Sequence, residues 1–306
     1  MFTALIVSRC FVTELMRRYE RLEKDMTFKP NPLLYGANGG FFSTFRLAIR
    51  MKETVDYDLL SRSVEKVMER YPYFCVRPAR EGEALVLRYN DQPLPVFPDD
   101  RTVTLGSEES RGHLISFGCK DNTIFIDCSH YIADGMGIDP LMKSLLWLYV
   151  SERYGTEGLE TKRIRMPDSP VFDGEYAYPF PDRVIEAEAI DIIPESPKEA
   201  YGLEREAFDK DGFYAYHLHI PQRAMMAKAS SSDGSPVSFL SVLLYRAFHR
   251  LDQNIDKPVV AHVQHQYRAA LHIPMSHHSL VSYIPVVLAP RLNKWDVEKQ
   301  NTVVRA

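Results

Sequence analysis

Ser129-His130-Tyr131-Ile132-Ala133-Asp134-Gly135 sets a histidine directly after an apolar run, with an aspartate four positions on and a glycine five. A histidine there can take a proton from an alcohol, amine or thiol near neutral pH, because an unperturbed imidazole titrates at about 6.5. The Asp-Gly pair is suited to fixing the loop that presents it, although an ordinary turn uses the same two residue types. With ten His, twenty Asp and fifteen Gly in 306 residues, a chance His-x-x-x-Asp-Gly match is expected roughly 0.03 times. The motif is therefore suggestive by itself, and its surroundings must carry the remaining weight.

The elements that would position it can be read on either side. Phe45 to Met51 alternates apolar and polar residues and predicts a strand. Asp56 can cap a helix whose Leu60, Val64, Val67, Met68 and Tyr71 share one face, with Pro72 ending it. A short strand is expected at 84–89. Leu114 to Cys119 and Thr123 to Cys128 flank Asp121-Asn122 as a hairpin. That turn sets Cys119 opposite Ile124 and Cys128 opposite Ile115, so the two thiols are not cross-strand partners. Ile124, Ile126, Cys128 and His130 then share a face if the strand persists, with His113 opposite His130. After the motif, Asp139 can cap a helix over 140–154 with Pro140 in its first position, and Gly155 suits its end.

Composition narrows the class. Apolar residues make up 45% and charged residues 25% of the chain, and the net charge is −4 with both signs interspersed. This is the balance of a globular protein and lacks the basic face of a nucleic-acid binder. The apolar start, Met1 to Val7, is cut short by Arg9 and has no basic flank. It predicts neither a signal peptide nor a transmembrane segment, so a cytoplasmic protein is expected. Cys10, Cys75, Cys119 and Cys128 form no Cys-x-x-Cys pair and read as buried free thiols. No metal site is expected. His262 and His265 should face opposite ways on a strand, His217 and His219 have no acid to complete a set, and His277-His278 lies in a loop. Gly-x-Ser-x-Gly, P-loop and dinucleotide fingerprints are absent from the sequence.

Residues 158–210 carry six prolines among many acids and read as a crossover or linker. Beyond them the pattern predicts a strand at 213–220, a Ser-rich loop at 230–235, a helix at 236–251 capped by Ser235, and strands at 259–264 and 281–288.

With His130, Asp134 and Gly135 between a strand and a helix, in this order of elements, the chain resembles the CoA-dependent acyltransferase superfamily. That group includes chloramphenicol acetyltransferase, alcohol acyltransferases and the condensation domains of nonribosomal peptide synthetases. Gln266-Tyr267-Arg268-Ala269-Ala270-Leu271 is similar to the family's Arg-containing segment, and the resemblance spans roughly residues 18–290. It implies an α+β fold: a two-layer chloramphenicol acetyltransferase-like domain, with a mixed sheet and helices on one face, over 1–157. The 158–210 crossover and a partial second domain of the same kind over 211–306 follow.

The resemblance further implies that His130 is the general base and that Asp134 braces the loop with Arg268 as its partner. Gly135 permits a close backbone approach. Acyl-CoA, most simply acetyl-CoA, is the implied co-substrate, with a small or lipid-like alcohol as acceptor and no permanently bound cofactor. Many family members carry a second histidine where this chain has Ser129, which leans toward the alcohol acetyltransferases. Members with two halves also continue beyond the equivalent of Leu288 through an Asp-Phe-Gly-like segment that this sequence lacks. Two alternatives stand beside this reading: a condensation-like domain acting on carrier-bound acyl groups, and a non-catalytic relative that binds a ligand or partner.

Overall fold

The computed structural model describes residues 44–82, 84–177, 197, 199–202 and 218–305. These residues cluster into two compact units, with boundaries at Asp182/Arg183, Gln266/Tyr267 and Leu280/Val281. The segment Tyr267–Leu280 belongs to the first unit.

The first unit runs β1 (Thr44–Arg50), α1 (Tyr57–Met68), β2 (Val76–Glu81), β3 (Ala84–Tyr89), β4 (Val96–Phe97), β5 (Ile115–Lys120), β6 (Thr123–Ser129), α2 (Gly135–Tyr154) and the one-turn α3 (Asp173–Tyr176). Its mixed sheet has the order β1-β6-β5-β4, antiparallel except for the parallel β4–β5 pair. The two-residue alternation of a strand then builds the core in rows. Phe45, Cys128 and Ile115 are aligned, as are Leu47, Ile126 and Phe117, and Ile49, Ile124 and Cys119. All nine pack into the cluster formed with Leu60, Val64 and Val67 of α1 and Ile138, Leu141 and Leu145 of α2. Each fully buried aliphatic side chain contributes about 1.5–3 kcal/mol relative to exposure, so the rows fix the register. A one-residue slip would turn Arg46 and Asp127 inward. These two pair on the opposite face at 2.7 Å.

The hairpin register is the one read from Asp121-Asn122, with Ile115 facing Cys128 and Cys119 facing Ile124. Asp121 takes the positive φ of 50° that the tight turn demands. Asp56 caps α1 by accepting from Leu59 N at 2.9 Å. Cys75, Cys119 and Cys128 are buried free thiols; Cys10 lies outside the described residues.

Two local expectations need correcting. The helix after the motif starts at Gly135, not Pro140. Asp134 is its cap, accepting from Gly137 N at 2.8 Å, and Pro140 sits inside it at the loss of one early backbone bond. His113 does not face His130. The β5–β6 ladder stops at Ile115–Cys128, and His113 Nε2 is bonded to the Gln92 carbonyl at 2.8 Å. The strand expected at 84–89 is β3, and it pairs with β2, a strand with no counterpart in the sequence reading; a two-stranded ribbon tolerates Pro78 at its open edge.

Within 158–210, read as crossover, residues up to Tyr176 belong to the first unit, and Glu175 is fully buried there. The second unit contains α4 (Gln222–Ser231), α5 (Pro236–Leu251), the antiparallel pair β7 (Val259–Gln266) and β8 (Val281–Leu288), and α6 (Val297–Arg305). Ser235 caps α5, and Val242, Tyr245, Ile255, Val259, Leu288 and Leu292 form its core. The strand expected at 213–220 lies outside the described residues up to His217, and Leu218–Ile220 carry no regular element. No helix among the described residues is long and apolar enough to cross a membrane.

Candidate active site

β6 ends at Ser129, where its pairing with Thr44 of β1 ends, and His130 is the first residue of the turn. The His130 ring is half-buried and rests against Phe45, with ring centroids 4.6 Å apart and planes tilted by 41°. Phe45 is the first inward residue of β1, so the sheet edge supports one side of the imidazole. Neither ring nitrogen of His130 has a hydrogen-bond partner among the described residues. Its orientation therefore comes from backbone, and the turn that carries it is held at several points.

Ser129 is the first of these. Its side chain accepts from Tyr131 N at 3.3 Å, and its carbonyl accepts from Ile132 N at 3.1 Å and Ala133 N at 3.3 Å. A serine here closes the turn locally.

Asp134 is the second. Its buried carboxylate accepts from Gly137 N, from Leu280 N at 3.0 Å, and from both terminal nitrogens of Arg268 at 2.7 Å each. The structure thus brings Asp134 and Arg268 together as a two-pronged pair, with side chains 3% and 4% exposed respectively. Such a fork matches the planar guanidinium to the planar carboxylate. Two further Arg268 donors go to Ser276 O at 2.9 Å and His278 O at 2.6 Å. Both charges are therefore compensated, which a pair at this depth requires. Removing either partner should cost about 3–5 kcal/mol.

The segment Tyr267–Leu280 closes over this turn. His277 Nδ1 lies 2.8 Å from the Ile132 carbonyl, and His277 N donates to Glu175 O at 2.8 Å. Gly135, expected to allow the close approach, does not serve that purpose: a Cβ there would meet nothing within 4 Å. Gly137 does. A methyl on Gly137 would overlap the His277 carbonyl oxygen, 2.8 Å from its carbon and 3.2 Å from Arg268 Nη2.

Behind the turn lies a second buried ion cluster. Arg70 donates to both oxygens of Glu175 at 3.0 and 2.7 Å and to Ser169 Oγ at 2.9 Å. Tyr73 OH donates to Glu175 Oε2 at 2.7 Å, and Arg165 approaches the same oxygen at 3.0 Å. Burial alone would raise the Glu175 carboxyl, but the bonds from Arg70 and Tyr73 and the charge of Arg165 outweigh it and hold it below the usual value. The Tyr73 ring stacks on His277 at 4.5 Å, which joins the cluster to the motif turn.

The sequence reading singles out His130, Asp134 and Arg268, and the structure pairs the last two; it assigns no role at this turn to Gly137, His277, Arg70, Arg165 or Glu175. Gly137 had only a faint signal, a second glycine two residues after Gly135, which by itself does not set it apart from Gly135. His277 had a weaker one, two adjacent histidines in a loop. Glu175 had none, being an acid within a proline-rich acidic stretch.

No family model matches the sequence, and no curated protein matches it. Solved structures do. The chain is similar to the first condensation domain of the calcium-dependent antibiotic synthetase in complex with a substrate analogue. The TM-score is 0.59 at 16% identity, over 89% of this chain and 69% of that one. It is similar to polyketide synthase associated protein 5 from Mycobacterium tuberculosis, at TM-score 0.54 and 14% identity, over 86% of this chain and 68% of that one. The epimerization domain from the third module of tyrocidine synthetase B matches at TM-score 0.54 and 14% identity, over 86% of this chain and 65% of that one. These likenesses establish the fold, the mixed α+β arrangement of condensation-type domains. The chain spans about two thirds of the length of these structures. The names of these three describe condensation and epimerization domains and a polyketide synthase associated protein, and give no support to a special closeness to alcohol acetyltransferases.

Proposed function

We propose that this chain is an acyl-transfer domain of the condensation type, moving an acyl group from a thioester to a nucleophile with His130 as general base. The observation that carries the reading is the setting of His130. Its half-buried imidazole has ring nitrogens not engaged by any described residue, on a turn locked by the buried Asp134–Arg268 pair. A base that must meet an incoming hydroxyl or amine needs a free nitrogen and a fixed position, and this arrangement provides both.

In the proposed reaction His130 accepts the proton of the nucleophile as its oxygen or nitrogen attacks the thioester carbonyl. The tetrahedral intermediate collapses by breaking the carbon–sulfur bond. The thiolate leaves and takes the proton back from the imidazolium. Asp134, Arg268 and Gly135 do not touch the reacting atoms in this scheme. The first two position the turn, and Gly135 begins α2.

The low-identity likeness to condensation domains supports a donor presented on a carrier protein. One residue favours the second reading, an O-acyltransferase taking acetyl-CoA or a longer acyl-CoA to a small or lipid-like alcohol. Ser129 stands where many carrier-dependent relatives have a further histidine. The two readings share the thioester chemistry and part at the donor. The deciding assay offers acetyl-CoA, longer acyl-CoAs and an acyl group loaded on a carrier protein, each with panels of amines and alcohols, and follows thiol release with product mass. Release from the loaded carrier alone supports the first reading, and release from acyl-CoA the second. No acceptor-dependent release from any donor sinks both and leaves a non-catalytic relative that binds a ligand or partner.

A further inference from the structure

The Asp134 carboxylate is one handle on the His130 turn; the Ile132 carbonyl is another, and a histidine holds it. We propose that His277 is a positioning residue for His130, its Nδ1–H fixing the Ile132 carbonyl and with it the turn that aims the His130 ring. The inference rests on His130 being the base.

The hydrogen bond defines the tautomer. A carbonyl oxygen can only accept, so at 2.8 Å the His277 Nδ1 must carry the proton. The ring itself cannot drift. It is 3% exposed, stacks on Tyr73 with planes 21° apart, stacks on His278 at 4.2 Å, and meets the edge of Phe74 at 5.1 Å. Its backbone is pinned twice, through its N–H to the Glu175 carbonyl and through its own carbonyl packed on Gly137.

His277 therefore couples two packed regions to one peptide group of the motif. On one side stands the Arg70–Glu175–Tyr73 cluster, and on the other the first turn of α2. Arg268 grips the carboxylate two residues beyond that peptide group, from the same segment. Together they hold the turn at Ile132 and Asp134, two and four residues after His130.

The groups facing the ring keep it neutral. Burial is the largest influence holding it well below the ordinary histidine value, and His278, Arg268 and Arg165 add repulsion. The hydrogen bond to the Ile132 carbonyl pulls the other way, more strongly than either Arg268 or Arg165 pushes, and burial outweighs it. Glu175 faces His277 only through its main chain, because its carboxylate is taken by Arg70, Tyr73 and Arg165. A neutral, Nδ1-protonated ring is the form that can donate to Ile132 without placing a charge beside Arg268.

The test uses the full chain with labelled histidines, in the wild type, His277→Phe and His277→Asn. Phenylalanine keeps the stacking and removes the donor; asparagine restores an N–H near the Nδ1 position. In the wild type, the His277 nitrogens should show the Nδ1–H tautomer near neutral pH. In His277→Phe the His130 ring resonances should shift and broaden, and in His277→Asn they should return toward wild type. With an active donor pair, kcat in His277→Phe should fall on the order of tenfold to a hundredfold with KM little changed, as expected when a base is misplaced rather than lost.

An Nε2–H tautomer of His277 in the wild type overturns the proposal, and this readout stands even if His277→Phe fails to fold. Superimposable His130 resonances in wild type and a folded His277→Phe overturn it equally. Absence of turnover in the wild type counts against the acyl-transfer reading, and the His130 resonances still decide the positioning role.

Discussion

Alanine at Gly137 and alanine at Gly135 are nearly the same change on paper, two residues apart in the first turn of one helix, and should have opposite effects. At Gly135 the new methyl meets nothing within 4 Å. Alanine exceeds glycine in helix propensity by about 0.8–1 kcal/mol, so Gly135→Ala should be neutral or up to about 1 kcal/mol more stable. At Gly137 the methyl overlaps the His277 carbonyl oxygen and lies 2.8 Å from its carbon, where ordinary contact begins at 3.4 Å. Clearing the carbon alone needs a separation of at least about 0.6 Å, and clearing the oxygen needs more. A shift of that size would lengthen the Arg268–Asp134 contacts from 2.7 Å and the His277–Ile132 contact from 2.8 Å. These bonds would weaken together. Overpacking of this kind costs about 1–3 kcal/mol, so Gly137→Ala should be less stable than wild type despite its gain in propensity. Urea unfolding of both variants, read as midpoints at constant m-value, measures the contrast. Equal midpoints, or a Gly137→Ala midpoint above that of Gly135→Ala, would refute the close-approach argument. The same experiment with thiol release as readout should show turnover lost at Gly137 and kept at Gly135.

Arg268→Ala should destabilise by about 3–5 kcal/mol by stranding the buried Asp134 charge. Arg268→Lys should recover only part of this, because an ammonium cannot supply the two-pronged contact; thermal unfolding of both variants checks it. Glu175→Gln leaves the buried Arg70 guanidinium without its anion and should cost a similar amount, while charge is tolerated at the exposed Asp139–Lys143 pair, where Asp139→Asn should change stability by less than about 0.5 kcal/mol. His277 makes stability pH-dependent. Its folded value lies below the unfolded one, so the unfolded chain takes up the proton first as pH falls. Its share of stability is fully present above about pH 6.5 and is lost below it at about 1.4 kcal/mol per pH unit until the folded ring charges. Lowering the pH from 7 to 5 should therefore cost the wild type more stability than His277→Phe, by at most about 2 kcal/mol; equal losses in urea titrations would show that the ring is not buried neutral.

The parts legible in the sequence are those set by short-range periodicity. The alternation in Phe45 to Met51 predicts that strand, and the two apolar runs around Asp121-Asn122 predict the hairpin and its register, while the pairing of β1 with β6 was not read. The α1 cap at Asp56 and the α5 cap at Ser235 were visible because each stands directly before an amphipathic run. The start of α2 was misread because Asp139-Pro140 is itself a good start signal. The competing cap, Asp134, wins through bonds to Arg268 and Leu280 that only the folded chain supplies. The same holds for Gly137. Its need for a bare Cα comes from a carbonyl at His277, and no local pattern distinguishes it from Gly135. Glu175 was hidden for the opposite reason, since its surroundings looked like linker while its charge is matched by Arg70 and Arg165.

The central claim is that His130 removes the nucleophile's proton while the buried pair behind it only positions the turn. Acceptor-dependent thiol release by wild type and His130→Ala, with the best donor of the panel and with unfolding midpoints measured alongside, tests it most directly. The account predicts a loss of about 10²–10⁴-fold in kcat, the usual contribution of a general base, at unchanged stability. A folded His130→Ala chain that transfers acyl groups at the wild-type rate would contradict it.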